Sequence, residues 1–130
     1  SGRKIMGLGD AILVNDPITG QGSNNATKGA KHYFDAIVGR GTQAFDEAWM
    51  NQTFDDLYNG YAEKVIAWTN SLLFPPPAYI VKLLATAQQA PGLAARIANG
   101  FNDPRDFANF WFSEEAAERL MQQEMQKLAA

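Results

Sequence analysis

A chain of 130 residues, 46% hydrophobic and 19% charged, has the size and composition of one soluble domain, with a core that removes roughly two thirds of the unfolded surface from water. A formal charge of −3 and a pI near 5.0 give no electrostatic reason to approach phosphate backbones or anionic lipid, which need a clustered Lys/Arg surface, so neither nucleic acid nor a membrane is an expected partner. Zero Cys and the single His32 remove disulfides, thiolate zinc, cysteine nucleophiles and multi-histidine metal sites together, leaving carboxylates, backbone dipoles or a cofactor to carry any chemistry, in a setting compatible with the reducing cytoplasm.

The N-terminus starts at Ser1, lacks the basic-then-apolar plan of a signal peptide, and soon enters the apolar Ile5-Met6-Gly7-Leu8. This reads as a strand already under way in a piece of a longer protein. The run from Lys4 to Val14 is too short and too glycine-punctuated for a buried helix; we expect a strand ending near Gly9-Asp10, then an irregular stretch and a turn at Asn15-Asp16-Pro17. From Gly22 the apolar positions Ala26, Ala30, Tyr33, Phe34, Ile37 and Val38 follow one helical face, which stops at Gly39-Arg40-Gly41. Thr42 offers an N-cap for a second run to about Leu73, with Asp46 and Glu47 near its positive end.

Along that run Phe45, Trp49, Leu57, Tyr61, Val65, Trp68 and Leu72 are mostly four apart. Each such step drifts by about 40° on an α-helix. The run therefore either breaks near Gly60 or is buried by different neighbours at its two ends. Pro75-Pro76-Pro77 ends it. Short helices are expected over Ala78–Gln89 and Gly92–Asn99, the latter started by Pro91; Asp103-Pro104 reads as an N-cap with proline at the first helical position, and Ser113-Glu114-Glu115 opens a last helix to about Leu128. No repeat period of 20 to 50 residues is visible.

The densest chemical signal is Gly9-Asp10, then Pro17-Ile18-Thr19-Gly20-Gln21-Gly22-Ser23-Asn24 leading into a helix. It describes a carboxylate at a strand end, a rigid turn, and two glycines that let the backbone approach a ligand at a helix N-terminus, whose unpaired amides carry partial positive charge. A carboxylate so placed suits sugar or polyol hydroxyls, and the amides suit an electron-rich carbonyl.

These residues resemble the second FAD-binding motif of flavoprotein aromatic monooxygenases, and the Asp16-Pro17-x-x-Gly20-Gln21-Gly22-x-Asn24 form most resembles the styrene monooxygenase group. By that resemblance Asp10 holds the ribityl chain of FAD, Pro17 lies beside the isoalloxazine ring, and the Gly20, Gln21, Gly22, Ser23, Asn24 backbone faces its pyrimidine end. The implied fold is a mainly α fragment: a short N-terminal strand and FAD-contacting loop, then the helical C-terminal region of an α/β, Rossmann-type flavoprotein monooxygenase. Residues 1–41 would end the FAD-binding domain and 42–130 would form the helical region.

The implied activity is transfer of one oxygen atom of O2, through a flavin hydroperoxide, to an apolar aromatic or alkene substrate. Epoxidation in a two-component system, with an NADH-dependent flavin reductase supplying reduced FAD, is the form implied; a homodimer is an open alternative. Ala11-Ile12-Leu13 stands where many single-component hydroxylases carry Ala-Ala-His, which favours the two-component branch. The family's G-x-G-x-x-G turn does not occur in these residues, so the rest of a parent chain is an expected partner, and the chain alone is expected to be inactive, to bind FAD weakly and to self-associate.

Other clusters read as structure. His32 reads as a surface or satisfied side chain, and Asp55 and Asp56, about 100° apart on a helix, as a solvated face. Phe107, Phe110 and Trp111 form one apolar face expected to pack on a neighbouring domain, with a substrate-channel wall as the alternative, while Tyr58, Tyr61 and Trp68 read as core. A helical interaction domain without flavin and a single-component NAD(P)H-dependent hydroxylase are the competing functions.

Overall fold

The computed structural model describes residues 5–129 and is mainly α-helical, with no strand among them. Six α-helices follow one another: α1 Gly22–Arg40, α2 Glu47–Leu57, α3 Glu63–Ser71, α4 Ala78–Ala87, α5 Pro91–Gly100 and α6 Glu114–Ala129. A π-helical segment, Tyr58–Ala62, separates α2 from α3, and 3₁₀ turns lie at Gly9–Ala11, Pro17–Thr19 and Pro104–Asn109. Two compact units result, Ser1–Ile66 and Ala67–Ala130.

The expected N-terminal strand is not formed. Lys4, its first residue, lies outside the described residues; Leu8 is extended at φ −141° and ψ 150°, but an extended segment becomes a strand only when a neighbour pairs its N–H and C=O groups. Instead the chain reverses at Gly9, whose φ of +59° favours glycine, and the Ile12 and Leu13 amides both donate to the Gly9 carbonyl.

Helix α1 spans the residues expected, but a different face is inward. Among the apolar positions read as its buried stripe, Phe34, Ile37 and Val38 are 65%, 45% and 63% exposed, and only Tyr33 is buried. The inner face carries Gln21, Asn25, Gly29 and Tyr33, spaced by four. At Gly29 that face meets Leu8 and Leu57: a Cβ there would lie 3.5 Å from Leu8 Cδ1 and 3.6 Å from Leu57 Cδ2, ordinary packing distances. Around it Tyr33, Leu57, Tyr61, Ala62 and Val65 form the core of the first unit.

Asp46, not Thr42, caps α2: its Oδ1 accepts from the Trp49 amide at 2.9 Å. Arg40 fixes the intervening turn by donating from Nε and Nη2 to the Ala44 carbonyl, and Phe45 packs its ring 5.1 Å from that of Trp49 across the cap. The four-spaced stripe meets both of its expected outcomes. The π segment at Gly60 interrupts the α pattern and admits an extra residue per turn, which keeps Leu57, Tyr61 and Val65 in one core, while Trp68 belongs to the second unit's core with Leu72 against it.

That second core holds Trp68, Ile80, Leu83, Leu93, Phe107, Phe110, Trp111 and Leu120. Trp68 and Phe107 stack with centroids 4.3 Å apart at 14°, and Trp111 donates from Nε1 to Ser71 Oγ at 3.0 Å. The aromatic segment is thus covered by its own unit, with Phe107 0% and Trp111 7% exposed, correcting the expectation that it awaits a neighbouring domain. Burial of such side chains, at about 1.5–3 kcal/mol each, accounts for the outcome: helices α4, α5 and α6 close around the Pro104–Asn109 turn, which is 3₁₀ and not α. Asp103 Oδ1 caps that turn at the Arg105 amide, and Ser113 Oγ accepts from the Ala116 amide at the start of α6.

Candidate functional site

The Gly9–Ala11 turn sits on α1 because α1 offers small residues there: a Cβ on Gly9 would stand 3.8 Å from that of Ala26. Ala26 is about one turn, roughly 6 Å, beyond Gly22, so the turn carrying Asp10 lies near the start of α1. Asp10 itself is exposed and makes no hydrogen bond or ion pair among the described residues.

Downstream, Asp16 Oδ1 accepts from the Ile18 amide at 2.9 Å and fixes Pro17 at the first position of a 3₁₀ turn. Pro17 and Ile18 are exposed while Thr19 is buried. Gly20 ends the turn at φ +65°, its amide donating to the Pro17 carbonyl at 2.9 Å, and no atom lies within 4 Å of where its Cβ, or that of Gly22, would be. The positive φ requires glycine at 20; at Gly22 neither φ nor a neighbour within the chain does.

Gln21, 2% exposed, anchors the loop: its Oε1 accepts from Asn24 Nδ2 at 3.1 Å, and its carbonyl takes the Asn25 amide at 2.8 Å. No side chain caps α1. The amides of Gly22 and Ser23 therefore present the positive end of a 19-residue helix with no intrahelical acceptor. The sequence-derived residues thus form two groups, the Asp10 turn and the Pro17–Asn24 loop with its helix start, both at the N-terminal end of α1.

The residue that sequence reading missed is Asn25. It is 7% exposed, and neither its Oδ1 nor its Nδ2 has a hydrogen-bond partner among the described residues. A polar residue four beyond Gln21 and four before Gly29 was the available signal, concealed by taking the apolar stripe as the inner face.

His32 Nε2 lies 2.9 Å from the Thr53 carbonyl, as expected of a satisfied histidine. Near it a cleft of about 320 Å³ is lined by His32, Arg40, Gln43, Trp49, Gln52 and Asp56. Arg40 is engaged by Ala44, Asp46 and the Trp49 ring, and Gln52 donates to Asp56, so this cleft offers few uncommitted groups.

No known protein family matches the chain, and no curated protein matches it either. Among the described residues no helix is long and apolar enough to cross a membrane.

Proposed function

We propose that this chain is the C-terminal part of an FAD-dependent monooxygenase, similar to the oxygenase component of two-component styrene monooxygenases, with Asp10, Pro17 and the Gly20–Asn24 loop against the flavin. The observation that carries the reading is an unengaged, exposed carboxylate held near an uncapped helix start beside two glycines that open onto free space. Those donors and acceptors fit a flavin. Asp10 accepts hydrogen bonds from ribityl hydroxyls, the Gly22 and Ser23 amides donate to the pyrimidine end, and Gly20 and Gly22 let the ring approach the backbone.

When bound, reduced flavin supplies the oxygen chemistry, in which one atom of O2 goes to an apolar aromatic or alkene substrate and the other leaves as water. The chain's own part is to hold and orient: Pro17 gives a rigid edge beside the ring, and the helix-start amides stabilise negative charge on its pyrimidine end. Since no G-x-G-x-x-G occurs here, the pyrophosphate and adenosine belong to a Rossmann-type turn elsewhere in a parent chain, in a cytoplasmic protein served by an NADH-dependent flavin reductase.

A helical interaction module is the second reading, favoured by the exposed row Phe34, Ile37 and Val38. The deciding experiment takes the full-length protein with a flavin reductase, NADH, FAD, an aromatic alkene and isotopically labelled O2. One labelled oxygen in an epoxide product is expected; absence of both product and reduced-flavin binding overturns the proposal.

A further inference from the structure

The Asn25 carboxamide is the one side-chain amide among the described residues with both polar atoms shut from water and neither paired. Leaving both halves unsatisfied opposes folding, and native interiors rarely tolerate it without a partner group. Position points to the partner. Asn25 lies on the inner face of α1 in register with Gln21, and Cα–Cβ bonds in an α-helix tilt toward its N-terminus, so the carboxamide leans toward the helix start where the Gly22 and Ser23 amides lack acceptors.

The chain near it is the Leu8–Leu13 turn, which meets α1 at Ala26 through Gly9 and at Gly29 through Leu8. Since both Asn25 polar atoms are shut from water, a ligand reaches them only when a covering segment moves, and this neighbouring turn is the one that carries Asp10.

We infer that Asn25 is a ligand-holding residue whose carboxamide pairs with a cyclic imide edge, a ring carbonyl adjacent to a ring N–H. A carboxamide offers one acceptor beside one donor in a plane, and a cyclic imide offers the complementary pair. The inference rests on the flavin reading, because the N3–H and neighbouring carbonyl of the isoalloxazine pyrimidine form such an edge, and it extends that reading from backbone amides to a side chain that distinguishes the imide from other anionic or carbonyl groups. Asn25 thereby exchanges stability of the ligand-free protein for recognition.

The test measures anaerobic binding of reduced FAD and reduced N3-methyl FAD to the full-length protein and its Asn25→Leu variant, with thermal unfolding of both flavin-free proteins. Wild type should prefer FAD over the N3-methyl analogue by about tenfold or more, the equivalent of one buried hydrogen bond. Asn25→Leu, near in volume and without polar atoms, should weaken FAD binding by at least a similar factor, erase the preference, and raise the flavin-free melting temperature by several degrees. Equal wild-type affinity for the two flavins overturns the imide assignment even if the variant fails to fold. Tight flavin binding unchanged in Asn25→Leu overturns the role of Asn25 while leaving the flavin reading standing, and a wild-type protein that binds neither flavin overturns both.

Discussion

Asp10 and Asp106 are both carboxylates near a turn, yet their surroundings give them opposite uses. Asp10 is exposed and unengaged, so its removal should leave the fold intact. In the full-length protein Asp10→Ala is expected to weaken FAD binding by about 1.5–3 kcal/mol, the range for hydrogen bonds to a charged group; an equilibrium titration showing unchanged affinity rules out the ribityl role. Asp106 instead receives Arg96 Nε at 2.7 Å and Nη2 at 2.8 Å, with Asn109 Nδ2 at 2.9 Å, and the Arg96 hydrogen bonds hold its carboxyl below the usual aspartate range. A depressed folded pKa contributes stability that is fully present above the unfolded value near 3.9 and is lost as pH falls through the lower folded value. Both side chains are more than a third exposed, at 38% and 37%, so solvent screening limits the pair to about 0.5–1 kcal/mol at neutral pH. Urea unfolding of Asp106→Asn should show that loss at pH 7 and a flatter profile below pH 4; profiles parallel to wild type would remove the pair from the stability balance.

Two glycines show how the same substitution changes sign between elements. Gly100 closes α5, where propensity alone favours alanine by about 1 kcal/mol. A Cβ there would fall 2.5 Å and 2.7 Å from Phe107 ring atoms, and that ring is buried and stacked on Trp68. Gly100→Ala is therefore expected to destabilise by about 1–3 kcal/mol through overpacking. Gly60, in the π segment, has no atom within 4 Å of its would-be Cβ and no positive φ, so Gly60→Ala should stabilise by about 0.5–1 kcal/mol. Chemical denaturation of the two variants side by side checks both signs, and a stabilised Gly100→Ala would mean that the Phe107 ring has room to shift.

Across the molecule, exposed apolar side chains occur in both units, with Phe74, Phe101 and Phe112 exposed in the second. Phe107 and Trp111 are enclosed, whereas Phe34, Ile37, Val38 and Phe45 are exposed in the first unit. A groove lined by Met6, Ile37, Phe45, Trp49 and Met50 lies in the same unit. If the 130-residue chain is purified alone, light scattering should show concentration-dependent self-association that Phe34→Lys with Val38→Lys relieves. The same sample should bind FAD weakly, because one carboxylate and a few amides at roughly 1 kcal/mol each hardly offset an association cost of about 4–15 kcal/mol. A monomer holding stoichiometric FAD after gel filtration would contradict both expectations and favour a self-sufficient flavin carrier.

The sequence by itself determined most helix boundaries, because those decisions are made within a few residues; the start of α2 is equally local, yet it lies with Asp46 and not with Thr42, since Arg40 and Phe45 set the turn before it. Pro91 and Pro104 each open the helical turn expected of them, Pro17 opens a 3₁₀ turn where a turn was expected, the triple proline lies between α3 and α4, and Gly41 caps α1 with its amide on the Val38 carbonyl. The site's spacing was legible for the same reason, since the Asp16 turn, the Gly20 reversal and the helix start are all local chemistry. Tertiary structure decided what depends on distant neighbours. The inner face of α1 is the one that meets Leu8 and Leu57 at Gly29, not the apolar stripe that reads well in isolation. Leu8 is extended but pairs with no strand among the described residues, and Phe107 and Trp111 were enclosed by helices on either side of them in sequence. Asn25 belongs to this second class: its residue type is plain in the sequence, but burial without a partner is a property of the folded surroundings.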